Sequence, residues 1–200
     1  NFRFPGHENH PINEETGLPK GWERKEFDEL AIINNKKRRP LNKIEREKRN
    51  GIYPYYGATG IMDYVNDYFF DGRYLLIAED GTVTDKNGHP YIQLVEGKFW
   101  VNNHAHIVKG NNVKTEFVYQ SLKNYNIKHL ITGAVQLKLS MRNLKKIDLL
   151  LPDKENLDKF SKLLKLNFDK IFNLKNQNQQ LHEARDLLLP RLMNQEIEVG

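Results

Sequence analysis

The sequence predicts an α+β fold in which a globular domain with a curved, mostly antiparallel sheet is followed by one long C-terminal helix. Three observations carry this. Between Trp22 and Leu151, short apolar and aromatic runs alternate with turn pairs such as Asp71-Gly72, Asn87-Gly88 and Glu96-Gly97, and few windows keep a helical period. From about Leu157 to Leu188, apolar residues recur at alternating steps of three and four. No Gly or Pro falls between Pro152 and Pro190, so nothing inside that stretch breaks a helix. The divisions that follow are a linker over 1–18, the globular domain over 19–152, the helix over 153–190 and a tail over 191–200.

Taken in order, residues 1–18 read as an extended lead-in, with Phe2-Arg3-Phe4-Pro5-Gly6 closing in a turn pair. Trp22 to Ile33 mixes apolar and charged residues and suits a strand with a short turn of helix. Pro40 to Arg49 suits a short basic helix, with Pro40 in its first turn and Gly51 beyond its end. Tyr53 to Val83 is dense in strand and turn signals, with a buried strand over Arg73 to Ala78 and a turn at Glu79-Asp80-Gly81. Tyr91 to Val95 and Phe99 to Val101 flank Glu96-Gly97-Lys98 as a hairpin would. His104 to Val108 alternates like a half-buried strand, Lys114 to Tyr125 carries a helical pattern, and Leu144 to Leu151 ends the domain as a strand bounded by Pro152.

The terminal stretch repeats as a heptad seam: Leu157, Phe160, Leu164, Ile171, Leu174, Leu181 and Leu188, with Asn167, Asn178 and Arg185 in the same register. As a helix it spans roughly 48 Å, more than a small domain needs to cover its own core. The seam is narrow and its surroundings are Lys, Asn and Gln, which favours a helix that pairs with another long helix. The plainer alternative is a helix folded onto the domain, with Leu163 and Phe168 widening its apolar face.

The net charge of +5 is concentrated. Lys36, Lys37, Arg38, Arg39, Lys43, Arg46, Lys48 and Arg49 face only Glu45 and Glu47 in the window from Asn34 to Asn50, which leaves the rest close to neutral. Charge gathered in this way fits a polyanion partner, nucleic acid above all, or a solvated face. The absence of cysteine excludes disulfides and thiolate metal sites and fits a cytoplasmic location. No apolar run of membrane-spanning length and no signal-peptide pattern occurs, so no membrane association is expected. The start at Asn1 without Met suggests a fragment, a processed product or a chain that lacks its disordered start.

Reaction chemistry is sparse. Gly57-Ala58-Thr59-Gly60 lacks the ending of a phosphate loop, and neither a cofactor-binding glycine fingerprint nor a nucleophile elbow is present. His104 and His106, with His89 or His129, lack a metal-ligand spacing, so no metal is expected. Asp85, Glu96 and Lys98 loosely resemble a metal-dependent nuclease triple, which stands as the enzymatic alternative; a helix-mediated interaction module without DNA selectivity is a third reading. The better supply is of groups that neutralise phosphate or pair with base edges. On expected loop tips these are Lys36, Lys37, Arg38, Arg39, Tyr56, Thr59, Lys86, Asn87, Asn102, Asn103, His104, Gln136, Lys138 and Arg142.

Several separate stretches together resemble the DNA specificity subunits of type I restriction–modification systems. They are Leu18-Pro19-Lys20-Gly21-Trp22-Glu23; Tyr55-Tyr56-Gly57-Ala58-Thr59-Gly60 with Phe70-Asp71-Gly72 and Glu79-Asp80-Gly81; Gly97-Lys98-Phe99-Trp100-Val101-Asn102-Asn103-His104; Gln136-Leu137-Lys138-Leu139-Ser140; and Arg185-Asp186-Leu187-Leu188-Leu189-Pro190. Each is weak alone; their order makes the resemblance specific. It implies a non-catalytic chain whose target recognition domain reads one half of a split DNA target. It also implies an antiparallel coiled coil of conserved helices that spaces two such domains. Methyltransferase subunits, which carry S-adenosylmethionine, and a motor-nuclease subunit would be partners, with no cofactor on this chain. With one domain and one helix, the chain is expected to be the C-terminal half of a longer subunit, or a natural half-subunit that forms a homodimer through its helix.

Overall fold

A computed structural model describes residues 10–194; the Phe2–Gly6 segment and the last residues of the expected tail lie outside it. The elements are β1 (Glu23–Glu26), α1 (Phe27–Leu30), β2 (Ala31–Ile33), α2 (Lys43–Glu47), β3 (Asn50–Tyr56), β4 (Ile61–Val65), β5 (Phe70–Asp71), β6 (Tyr74–Ala78), β7 (Ile92–Val95), β8 (Lys98–Val101), β9 (Ala105–Gly110), α3 (Thr115–Leu122), α4 (Met141–Lys145), β10 (Asp148–Leu151) and α5 (Lys154–Met193), with 3-10 turns at Asn35–Lys37 and Lys128–Leu130. The class is α+β with a long C-terminal helix, as expected. The strands, however, form three sheets rather than one: β2-β9-β6-β7, β4-β3-β8-β5 and the pair β1-β10. All pairings are antiparallel except β3 with β8.

The strand β6 explains the layering. Its side chains alternate, and both faces are buried. Leu75 and Ile77 enter the main core with Phe27, Val108, Phe117, Leu122, Ile127 and Leu144. Leu76 enters a second core with Phe70, Phe99, Val101 and Ile107. A smaller third cluster holds Tyr55, Val65 and Trp100. The strand β9 is likewise central, so Ala105, His106, Ile107 and Val108 are all buried instead of alternating between core and solvent.

The expected hairpin across Glu96-Gly97-Lys98 does not form. Pairing runs instead between residues 70–77 and 92–99 in one register, from Phe70↔Phe99 through Tyr74↔Val95 to Ile77↔Ile92. At its bend Gly72 and Gly97 exchange both backbone hydrogen bonds, at 3.0 and 3.1 Å, with φ of 114° and 89°. Only glycine holds such angles without strain, and here they turn one ribbon out of the first sheet and into the second. Flanking the bend, Arg73 donates to Glu96 at 2.8 Å and also bonds the buried Glu116.

Capping moves two expected boundaries. The side chain of Asn42 accepts from Glu45 N, and that of Glu45 from Asn42 N, so α2 starts at Lys43 and leaves Pro40 outside. The hydroxyl of Ser140 accepts from Asn143 N and starts α4, so only Asp148–Leu151 of the expected strand remains extended.

The described residues form two compact units that divide between Ser161 and Lys162. Within the first, the opening turns of α5 join the main core: Leu157 and Phe160 pack there, with the Phe160 ring edge-on to Phe117 at 6.3 Å. The carboxylate of Asp153 caps this start, accepting from Asn156 N at 3.0 Å and from the Trp22 indole at 3.1 Å. Burial alone would raise the Asp153 pKa, but these donors outweigh it and lower it. The second unit carries the rest of α5, on which Ile171, Leu174, Leu181 and Leu188 are exposed and Lys165–Asp169 and Gln179–Glu183 pair along the surface.

Two glycines separate conformational from steric cost. An added Cβ at Gly97 meets nothing within 4 Å, whereas at Gly110 it would sit 2.2 Å from the Val113 carbonyl oxygen. Urea unfolding should show Gly97→Ala losing about 1–2 kcal/mol through φ alone. Gly110→Ala should lose more, on the order of 3 kcal/mol, because the neighbour is backbone. Equal losses at both would contradict the bend and the close approach.

Candidate nucleic-acid interface

The pairing Ala78↔Ala105 at the end of β6 brings Glu79 against the turn that leads into β9, where Glu79 N donates to His104 O at 2.8 Å. Residues from four distant segments meet there. The Arg38 guanidinium folds inward: its Nη1 donates to Glu79 Oε2 at 2.6 Å and to the carbonyls of Asn103 and Ala105 at 3.0 Å, and its side chain is only 16% exposed. The Lys138 ammonium lies 3.5 Å from the other Glu79 oxygen. The His104 ring places Nδ1 2.5 Å from Asp80 Oδ1.

Beneath them His106 is fully buried. Its Nε2 donates to the Leu139 carbonyl and its Nδ1 accepts from the Asn35 amide, both at 2.8 Å, which fixes a neutral ring. Asn35 Oδ1 in turn accepts from Ile107 N at 3.1 Å. Burial lowers the His106 pKa. For Glu79, burial would raise it, but the Arg38 hydrogen bond and the surrounding positive charge outweigh that and leave it lowered.

The cluster brings together four of the sequence candidates: Arg38, Asn103, His104 and Lys138. Asn35, Glu79, Asp80 and His106, which organise it, are not among those candidates; in the sequence, Glu79-Asp80 shows a turn signal and part of a resemblance motif, and neither points to a carboxylate that gathers cations. The remaining candidates sit as follows. Lys36 and Lys37 are exposed on their 3-10 turn. Arg39 is exposed, its guanidinium 5.3 Å from the Phe69 ring centre. Tyr56 is half-buried, edge-on to Phe99 at 5.7 Å, and burial raises its pKa. Thr59 is exposed on the turn closed by Gly57 N to Gly60 O and steadied by Gln93, which donates to Ala58 O at 3.1 Å. Asn102 is buried, and its side-chain oxygen accepts from His104 N at 2.8 Å. Gln136 and Arg142 are exposed. Lys86 and Asn87 are exposed on a separate turn, where Asn126 donates to the Asn87 carbonyl.

The residues of the nuclease reading do not form one site. The Asp85 carboxylate is taken by the backbone N–H groups of Asn87 and His89 and by the His89 ring. Glu96 pairs with Arg73, and the Lys98 ammonium lies 4.7 Å from the Tyr68 ring centre. Among the described residues no group of His, Asp and Glu is placed to hold a metal ion. Nor is any helix among them long and apolar enough to cross a membrane.

The Arg38–Glu79 pair is mostly shielded, so losing one partner strands the other. Arg38→Met should cost about 2–3 kcal/mol, between the values for exposed and buried pairs. Both Glu79 and His106 have lowered folded pKa values, so the unfolded chain takes up protons first and stability falls on acidification. The His106 part should decline below its ordinary value of 6.5, and the Glu79 part below 4.5. Denaturant midpoints measured from pH 7 to pH 3 check this; stability that rises over that range would refute it.

The sequence profile of the type I restriction modification DNA specificity domain matches residues 19–183. A Haemophilus influenzae protein, provisionally named a type I restriction enzyme specificity subunit, is 40% identical over 131 residues, 65% of this chain and 33% of that protein. The specificity subunit of the type I restriction enzyme MjaIX from Methanocaldococcus jannaschii is 25% identical over 199 residues, 91% of this chain and 46% of the relative. The crystal structure of a type I restriction–modification S subunit from M. genitalium superposes with a TM-score of 0.64 at 16% identity, over 86% of this chain and 45% of that one, a likeness of fold. The chain thus spans a third to a half of the length of these relatives. Because the profile runs through the β-rich unit and most of α5, the chain belongs to the type I restriction modification DNA specificity domain family.

Proposed function

We propose that this chain is a non-catalytic reader of double-stranded DNA, taking one half of a bipartite target for a type I restriction–modification enzyme. The observation that carries the reading is the family match over 19–183, which takes in both a globular head and a long helix. The division of labour is 1–18 as linker, 19–152 as target recognition domain, 153–190 as spacer and pairing helix, and 191–200 as tail. Lys36, Lys37 and Arg39 support the reading because they are exposed cations on one short segment, available to neutralise phosphate. Arg38 positions that segment through Glu79 rather than meeting the phosphates itself.

The helix is the spacer in this reading. Ile171, Leu174, Leu181 and Leu188 are exposed on the seam, with Asn167 before them and Asn178 and Arg185 between them. Covering four such side chains in an antiparallel coiled coil supplies roughly 1.5–3 kcal/mol each, and the polar seam positions set register at some cost in stability. The second helix comes from the other half of a longer subunit, or from a second copy if this half acts alone. Methyltransferase subunits carrying S-adenosylmethionine dock at the helix region and supply the modification chemistry, and the motor-nuclease subunit joins through that complex. The setting is the cytoplasm.

Two measurements test this. Replacing Lys36, Lys37 and Arg39 with Ala, while keeping Arg38, should flatten the plot of log affinity against log salt by about 0.9 for each phosphate no longer neutralised. An unchanged slope would remove these residues from the interface, and a wild-type chain that never retains duplex DNA would refute the reading. Ile171→Glu with Leu181→Glu should abolish helix pairing, read as mass in solution, without shifting the thermal midpoint of the globular unit. A pairing that survives both charges would place the seam elsewhere.

A further inference from the structure

Residues 132–138 leave the core as a short finger. Its base is closed by Thr132 and Lys138, which exchange both backbone hydrogen bonds at 2.9 and 2.7 Å, and the Thr132 hydroxyl donates again to Lys138 O at 3.3 Å. Gly133 has φ +93°, and a Cβ there would lie 2.1 Å from the Gln136 carbonyl oxygen, so the turn is as tight as glycine permits. The finger is pinned along the exit of β6. Gly81 N donates to Leu137 O at 3.0 Å, Leu139 N donates to Glu79 O at 2.8 Å, and the Lys138 ammonium rests near the Glu79 carboxylate.

Backbone bonds therefore do most of the holding, with the Thr132 hydroxyl and the Lys138 ammonium at the base. Residues 133–138 are all exposed, and Val135 at the tip is 103% exposed. One exposed valine is ordinary in itself. Here it occupies a tight turn where Asn, Asp or Gly is the usual choice, it is followed by Gln136, and it stands beside a cluster that also fixes His104 and Lys138.

We infer that this finger enters the major groove and reads base pairs, Val135 packing on a thymine methyl and Gln136 pairing with an adenine edge. The finger is a protruding turn closed by one bridge, and the major groove, roughly 12 Å wide, admits such an element more readily than the minor groove at roughly 6 Å. Only the major groove displays the thymine methyl and gives adenine a paired donor and acceptor that a carboxamide matches. The inference rests on the DNA-reading function proposed above and assigns two letters of the half-site to two residues.

The test is selection of bound duplexes from a randomised pool by the full chain, wild type against Val135→Ser and Gln136→Ala. The wild type should enrich one motif. Val135→Ser should relax one T·A position and Gln136→Ala one A·T position, each by about tenfold. Uracil in place of that thymine should weaken the wild type by a similar factor and leave Val135→Ser unaffected. If both variants enrich the wild-type motif with undiminished discrimination, the finger does not read bases. A lowered thermal midpoint in either variant would contradict the exposed placement and overturn the inference as well. A wild type that enriches no motif overturns both this inference and the function beneath it.

Discussion

The exchange of two hydrogen bonds between Gly72 and Gly97 is the constraint on which the rest of the globular unit depends. On one side of it β6 and β7 belong to the first sheet; on the other, β5 and β8 belong to the second. One ribbon therefore contributes to both cores, with Leu75 and Ile77 in one and Phe70, Leu76 and Phe99 in the other. Because the register is continuous through the bend, neither sheet can slip against the other without breaking the ribbon. The rim that carries Arg38, His104 and Lys138 stands on this frame, since Glu79 and Asp80 directly follow β6.

The rim spends charge on order. Of the four consecutive cations Lys36 to Arg39, one is folded inward and held by a carboxylate and three carbonyls. A guanidinium suits this, because its planar array of donors serves several acceptors at once where an ammonium offers a point charge. The arrangement leaves the neighbouring lysines on a short turn that is tied down at both ends: Asn35 binds the β9 backbone, and the Arg39 carbonyl accepts from the Trp100 indole at 2.6 Å. Long flexible cations on a fixed base lose less freedom on meeting a phosphate than the same cations on a loose loop.

What the sequence disclosed follows from the range of each signal. The heptad seam and the absence of Gly and Pro are local, and α5 starts at Lys154 close to where they place it, although it continues through Pro190 to Met193, past the expected end at 190. The strand β6 was legible because Leu75, Leu76, Ile77 and Ala78 form a continuous apolar run ended by a turn. The sheet switch was not, because Glu96-Gly97 gives the same turn signal whether the flanking strands pair with each other or part company. Arg38 was indistinguishable from Lys36, Lys37 and Arg39, since its partner stands 41 positions away. Asn102 read as an exposed polar tip, yet it lies buried and shapes the turn before β9. In each case the deciding partner is distant along the chain, where composition and period carry no information.

The pair β1-β10 has a consequence for how such a molecule can change. Its register sets Glu23 against Leu151 and Glu26 against Asp148, so the polypeptide enters and leaves the β-rich unit through a single doorway. Trp22 bolts that doorway to Asp153, the residue that caps the helix. Everything between is a cassette whose two ends are already fastened together before the helix begins. A different head with the same clasp would meet the same helix start in the same way, so the surface of the cassette can change while its mount stays as it is.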